Sequence, residues 1–116
     1  MNRRFRLTRS TDFKRVRRFG KSYAHPLVVL VIMPIASGKV HVGVSAGRSV
    51  GKAVQRNRSK RLLREAIRPL LAQINPGWEL ILLSRSATSK ATSQDIRAAL
   101  VNLLHRAQII KVENGS

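Results

Sequence analysis

The spacing of apolar residues alternates between helical and strand periods along the chain, and each change marks an element. Phe13 and Val16 stand three apart while Arg15, Arg17 and Arg18 fall outside, which predicts a short first helix ending at Gly20. Ser10 or Thr11 is suited to cap it, and Asp12 favours its N-terminal dipole. Pro26 and Pro34 bracket a β-branched run from Leu27 to Met33, expected as a strand buried on both faces. Ser37-Gly38 supplies a turn, after which Val40, Val42 and Val44 alternate with His41, Gly43 and Ser45. That second strand has one apolar face and one small or polar face, and the pair is expected to form an antiparallel hairpin.

Helical spacing returns in Leu62, Leu63, Ala66, Ile67, Leu70, Leu71 and Ile74, a stripe able to pack on a sheet. Pro69 opposes the carbonyl of Glu65 and should end or kink this helix, although a new turn can start there. Pro76-Gly77 turns the chain into a third strand, Trp78 to Ser84, which a helical crossover makes parallel to the second. After a polar loop from Arg85 to Ala91, Thr92 to Asp95 reads as a capping box with Asp in place of Glu. Ile96, Leu100, Leu103 and Leu104 give the last helix its buried stripe. The pattern describes one domain over residues 1–116, with a basic arm at 1–9 and a fraying tail from Ile109 to Ser116.

Charge changes the picture from a small α/β domain to a polyanion binder. The 116 residues carry 23 Lys+Arg against 5 Asp+Glu, a net charge of +18, while 43% hydrophobic residues are too many for a disordered tail. No cysteine is present, which excludes disulfides and thiolate chemistry and fits a reducing, cytoplasmic setting. The apolar runs are too short to span a membrane. The Arg-rich opening has the composition of a transit peptide, but it runs directly into a capped helix, and no secretory signal follows.

The cations concentrate between Gly51 and Arg68, where Lys52, Arg56, Arg58, Lys60, Arg61, Arg64 and Arg68 face the single acid Glu65. Lys52, Arg56, Lys60, Arg64 and Arg68 repeat every four residues and form a row on one helix face. Like charges at that spacing cost about 0.2–0.5 kcal/mol per pair, so an anionic partner such as nucleic-acid phosphate is expected to offset them. The first turns contain little apolar surface and should project beyond the core. GRSVGK falls one residue short of a phosphate loop and Ala53 replaces its hydroxyl, so a nucleotide-binding loop of that type is excluded; Gly47 and Gly51 instead bring Arg48 and Lys52 beside a helix N-terminus that favours phosphate. Cations interleaved with Phe5, Phe13, Phe19 and Tyr23 suit single-stranded nucleic acid.

Catalytic chemistry has few residues to use. Asp12, Glu65, Glu79, Asp95 and Glu113 are separated in sequence, and His25, His41 and His105 lack metal-ligand spacing. The protein therefore reads as a binder, and composition alone fits a ribosomal protein or a general RNA chaperone as well as any other RNA partner.

One further pattern is more specific. Gly51, Ala53-Val54, Arg56-Asn57-Arg58, Lys60-Arg61 and Arg64-Glu65 resemble the signature of the bacterial ribonuclease P protein subunit. Asp12-Phe13, Val16 and Gly20 resemble that family's first helix, and Val42-Gly43-Val44-Ser45 its strand before the signature. The resemblance implies an α/β (α+β) two-layer sandwich with a small mixed sheet and the order α-β-β-(β)-α-β-α, like the second domain of a small-subunit ribosomal protein. It also implies a left-handed crossover carrying the basic helix. Its functional implication is one protein bound to one catalytic RNA, whose own Mg²⁺ ions remove the 5′ leader of precursor tRNA, with no membrane and no small-molecule ligand. By position, Arg48, Lys52, Arg56, Asn57, Arg58, Lys60, Arg61, Arg64 and Arg68 would meet the catalytic RNA. Phe13 would line a leader cleft together with Arg17 and Val31, which stand where other members can carry aromatic residues.

Overall fold

A computed structural model describes residues 10–111. The basic arm at 1–9, the side chains of Ser10, Thr11, Asp12 and Arg48, and the residues from 112 onward lie outside the described residues. The elements run α1 (Ser10–Phe19), β1 (Lys21–His25), β2 (Val28–Pro34), β3 (Val40–Ser45), α2 (Ala53–Ile67), β4 (Trp78–Ser84) and α3 (Ser93–Ala107). Short 3₁₀ turns occupy Arg48–Val50, Arg68–Gln73 and Thr88–Lys90.

The four strands form one mixed sheet in the order β1-β2-β4-β3. β1 and β2 pair antiparallel, β2 and β4 pair antiparallel, and β3 and β4 run parallel, as the helical crossover requires. The expected hairpin between Leu27–Met33 and Val40–Ser45 is therefore incorrect, because β4 lies between those two strands. β2 and β4 are apolar on both faces and so occupy the centre. β3 places Gly43 and Ser45 on one side and tolerates an edge. The hairpin that does form joins β1 to β2, with His25 opposite Val28. In its turn the Leu27 N–H donates to His25 Nδ1 at 3.0 Å.

One sheet face carries the main core. Val28, Leu30 and Ile32 of β2, Val42 of β3, and Leu80 and Leu82 of β4 meet Leu63, Ala66 and Ile67 of α2 and Ile96, Leu100, Leu103 and Leu104 of α3, all buried. The predicted stripes of both helices are thus the ones used. On the opposite face α1 seals a smaller cluster of Val16, Val31 and Ile81. Gly20 is required where α1 leaves the sheet, since a Cβ there would lie 2.4 Å from the Val16 carbonyl oxygen and 2.7 Å from that of Ile32.

Pro69 ends α2 as expected, and the chain continues as the 3₁₀ turn Arg68–Gln73 with proline in its first positions. Thr92 caps α3 by accepting from the Asp95 N–H at 3.1 Å. The expectation of a fraying tail fails at its first residues. Ile109 and Ile110 are buried, Ile110 forms a β-bridge with Ile74, and the Asn75 N–H donates to the Ile109 carbonyl at 2.7 Å. Two apolar side chains reach the core there because Gln108 turns the chain in the left-handed conformation at φ 59.

Candidate RNA interface

The basic helix is built in two halves. From Ser59 onward one side of α2 is buried, through Leu63, Ala66 and Ile67, whereas nothing before Ser59 is. Val54 is 76% exposed, so the first turns extend past the sheet as the missing apolar stripe requires. Gly51, at φ +130, makes the turn into this helix in a conformation that side chains rarely adopt. Lys52 occupies the N-cap without a side-chain cap, and the first turn holds no acidic residue. The electropositive end of α2 is thus flanked by cation rather than neutralised, which suits an incoming phosphate.

Lys52, Asn57, Arg58, Arg61 and Arg68 are exposed, and Arg56, Lys60 and Arg64 are half-buried along the helix. Arg58 has a second role, since its Nε donates to the Ser89 carbonyl at 2.9 Å and ties α2 to the loop after β4. Periodicity held no sign of that anchor. The same loop is latched across the sheet by Thr88, fully buried, whose hydroxyl donates to the Leu27 carbonyl and accepts from the Arg85 N–H at 2.7 Å.

Beside α1 the small side chains of β3 leave open space. A cavity of about 420 Å³ is lined by Phe13, Lys14 and Arg17 of α1, Val44 and Ser45 of β3, Ala46, and Lys60 of α2. Phe13 is half-buried and packs on the Val16, Val31 and Ile81 cluster. A second cavity of about 410 Å³ adjoins it, sharing Arg17 and Ser45, and continues toward Ser49, Ser84, Arg85 and Ser86. Of the three residues assigned to a leader cleft, Phe13 and Arg17 are brought together. Val31, 2% exposed, lies beneath α1 in the cluster on which Phe13 packs, and lines neither cavity. Phe19 is 67% exposed outside the cavities with Arg18 over its ring, and Tyr23 sits under Lys21 on the far edge of the sheet.

The described acids are dispersed. Glu65 is exposed on α2, Asp95 begins α3, and Glu79 is buried on β4 against Arg15, with His41 Nδ1 at 3.8 Å. Among the described residues no three His, Asp or Glu gather closely enough to hold a metal ion. No helix among them is long and apolar enough to cross a membrane.

Comparison with known proteins agrees with this geometry along nearly the whole chain. The family profile described as Ribonuclease P matches residues 1–108. The ribonuclease P protein component of Herpetosiphon aurantiacus is 41% identical over 109 residues, covering 94% of this chain and 89% of its own. That of Clostridioides difficile is 37% identical over 109 residues, with 93% and 96% covered. The RNase P protein of Staphylococcus aureus superposes with a TM-score of 0.80 at 25% identity, covering 92% of this chain and 98% of that one. The RNase P protein of Thermotoga maritima does so with a TM-score of 0.77 at 28% identity, covering 87% and 96%. With sequence and fold in agreement over this extent, the chain belongs to the ribonuclease P protein family, the protein components of a tRNA-processing ribonucleoprotein.

Proposed function

We propose that this chain binds a catalytic RNA through the exposed cations of α2 and holds the 5′ leader of precursor tRNA in the cleft beside α1. Lys60 carries the argument, because it belongs to the cation row of α2 and lines the same cavity as Phe13 and Arg17. One side chain thus joins the surface suited to folded-RNA phosphates to a cleft with a ring and cations suited to a single strand. Phosphodiester hydrolysis falls to Mg²⁺ held by the RNA; the protein raises affinity for the precursor and supports the active RNA fold. The working unit is one protein with one RNA in the cytoplasm.

The test is reconstitution with a bacterial ribonuclease P RNA and a precursor tRNA at low Mg²⁺. Protein and RNA together should release the leader at the mature 5′ end, where the RNA alone at that Mg²⁺ and the RNA-free protein do not. Binding of the RNA without any stimulation of cleavage would favour a general RNA chaperone, and correct cleavage by the protein alone would refute the division of labour.

A further inference from the structure

The two adjoining cavities differ in chemistry. The first has the Phe13 ring; among the described residues the second has no aromatic, amide or carboxylate side chain. Its apolar contributors are Val29 and Leu83, Gly47 and Ser84 add backbone, and the remaining described side chains are hydroxyl and guanidinium: Ser45, Ser49 and Ser86 with Arg17 and Arg85. A volume of about 410 Å³ falls within the usual range of small-ligand sites.

We propose that this second cavity is a ribose–phosphate subsite, in which a leader nucleotide beyond Phe13 is held by its 2′-hydroxyl and phosphate while its base goes unread. The proposal rests on the leader-binding reading above and adds what the cleft recognises. Adenine and cytosine edges are read by amides and carboxylates, and bases stack most often on rings, none of which lines this cavity among the described residues; its two guanidiniums are assigned to phosphate. A serine hydroxyl both donates and accepts, which matches a 2′-hydroxyl, and guanidinium groups match phosphate. Ser84 contributes backbone only, because along β4 its side chain alternates with Leu83 onto the face of Leu82 and Val28, away from the cavity. Arg85 is available to a ligand. Its backbone is fixed by Thr88, while among the described residues its guanidinium reaches only the His25 carbonyl, at 3.5 Å.

Such a subsite distinguishes RNA from DNA and tolerates any leader sequence. The experiment uses the reconstituted complex and precursor tRNAs whose leaders carry ribose or 2′-deoxyribose, with ribose kept at the nucleotides flanking the cleaved bond. Affinity is measured for the wild type and for Ser49→Ala/Ser86→Ala, two exposed positions whose loss leaves the core intact, with thermal unfolding as the check on folding. The wild type should prefer the ribose leader by about three- to tenfold, the worth of one or two hydrogen bonds. The variant should bring that ratio close to one, with mature tRNA bound as before. A ratio near one in the wild type, with precursor still preferred over mature tRNA, overturns the subsite and leaves the leader cleft standing. A ratio that persists in the variant also overturns it. Equal wild-type binding of precursor and mature tRNA overturns the cleft reading, and the subsite with it.

Discussion

Arg61→Ala isolates the electrostatic share of RNA binding. Arg61 is exposed on α2 and makes no hydrogen bond or ion pair among the described residues, so its removal disturbs little besides the field. Lys52, Arg56, Arg58, Lys60, Arg61 and Arg64 lie along α2 and its N-cap. With roughly 0.7–0.9 counterions released per neutralised phosphate, six contacts give log affinity a slope of about −4 to −5 against log salt. Losing one contact flattens that slope by about 0.8 and weakens binding by about sixfold, or about 1.1 kcal/mol, at roughly 0.1 M salt. At roughly 0.5 M the same loss is under about twofold. The assay is a titration of labelled ribonuclease P RNA with protein across monovalent salt at constant Mg²⁺. Arg58→Ala is the informative companion, because it also removes the 2.9 Å bond to the Ser89 carbonyl. It should lower thermal stability where Arg61→Ala does not. An unchanged slope with unchanged affinity in Arg61→Ala would refute the phosphate-contact account of α2 at this position.

Phe13→Leu should keep most of the packing on Val16, Val31 and Ile81 yet weaken precursor binding by about 1–3 kcal/mol with mature tRNA unaffected; equal losses for both RNAs would make Phe13 a packing residue only. Thr88→Val leaves the Leu27 carbonyl and the Arg85 N–H without their partner, at a cost of about 1–3 kcal/mol, read as a drop in melting temperature that Thr88→Ser should largely avoid. Gly20→Ala should destabilise by about 1–3 kcal/mol or more, because the two nearest atoms its Cβ meets are backbone carbonyl oxygens that cannot swing aside; an unchanged melting temperature would contradict the close approach of α1 to β2.

What could be read from the sequence was what periodicity encodes. The stripe from Leu62 to Ile74, the bounds of Val40–Ser45 and Trp78–Ser84, and the Thr92 cap all repeat locally and agree with the fold. Strand pairing does not repeat locally, and the neighbours of β2 were misread because adjacency in sequence stood in for adjacency in space. β1 is a weak strand by composition, with exposed and half-exposed residues throughout, and owes its form to its register against β2. Ile109 and Ile110 form no periodic stripe, so nothing short of the bridge to Ile74 marks them as core. For the candidate site, the cations and Phe13 were legible as residue types. Val31, assigned to the cleft by resemblance, lies beneath α1 behind Phe13, and the serine-lined half was invisible because its residues come from separate strands and loops.

The bridge between Ile110 and Ile74 also bears on the order in which a newly made chain folds. The turn after α2 is held in place by a segment made only after β4 and α3, through the Ile109 and Lys111 backbone as well as the Ile110 side chain. While the ribosome is still extending the chain past Trp78, the buried side of α2 has neither β4 nor α3 to pack on, and its cations are already repelling one another. Long-range closure of this kind is entropically expensive until the late contacts form. During that interval the repulsion along the helix has no late contact to offset it, so an anion bound there would favour the helical state.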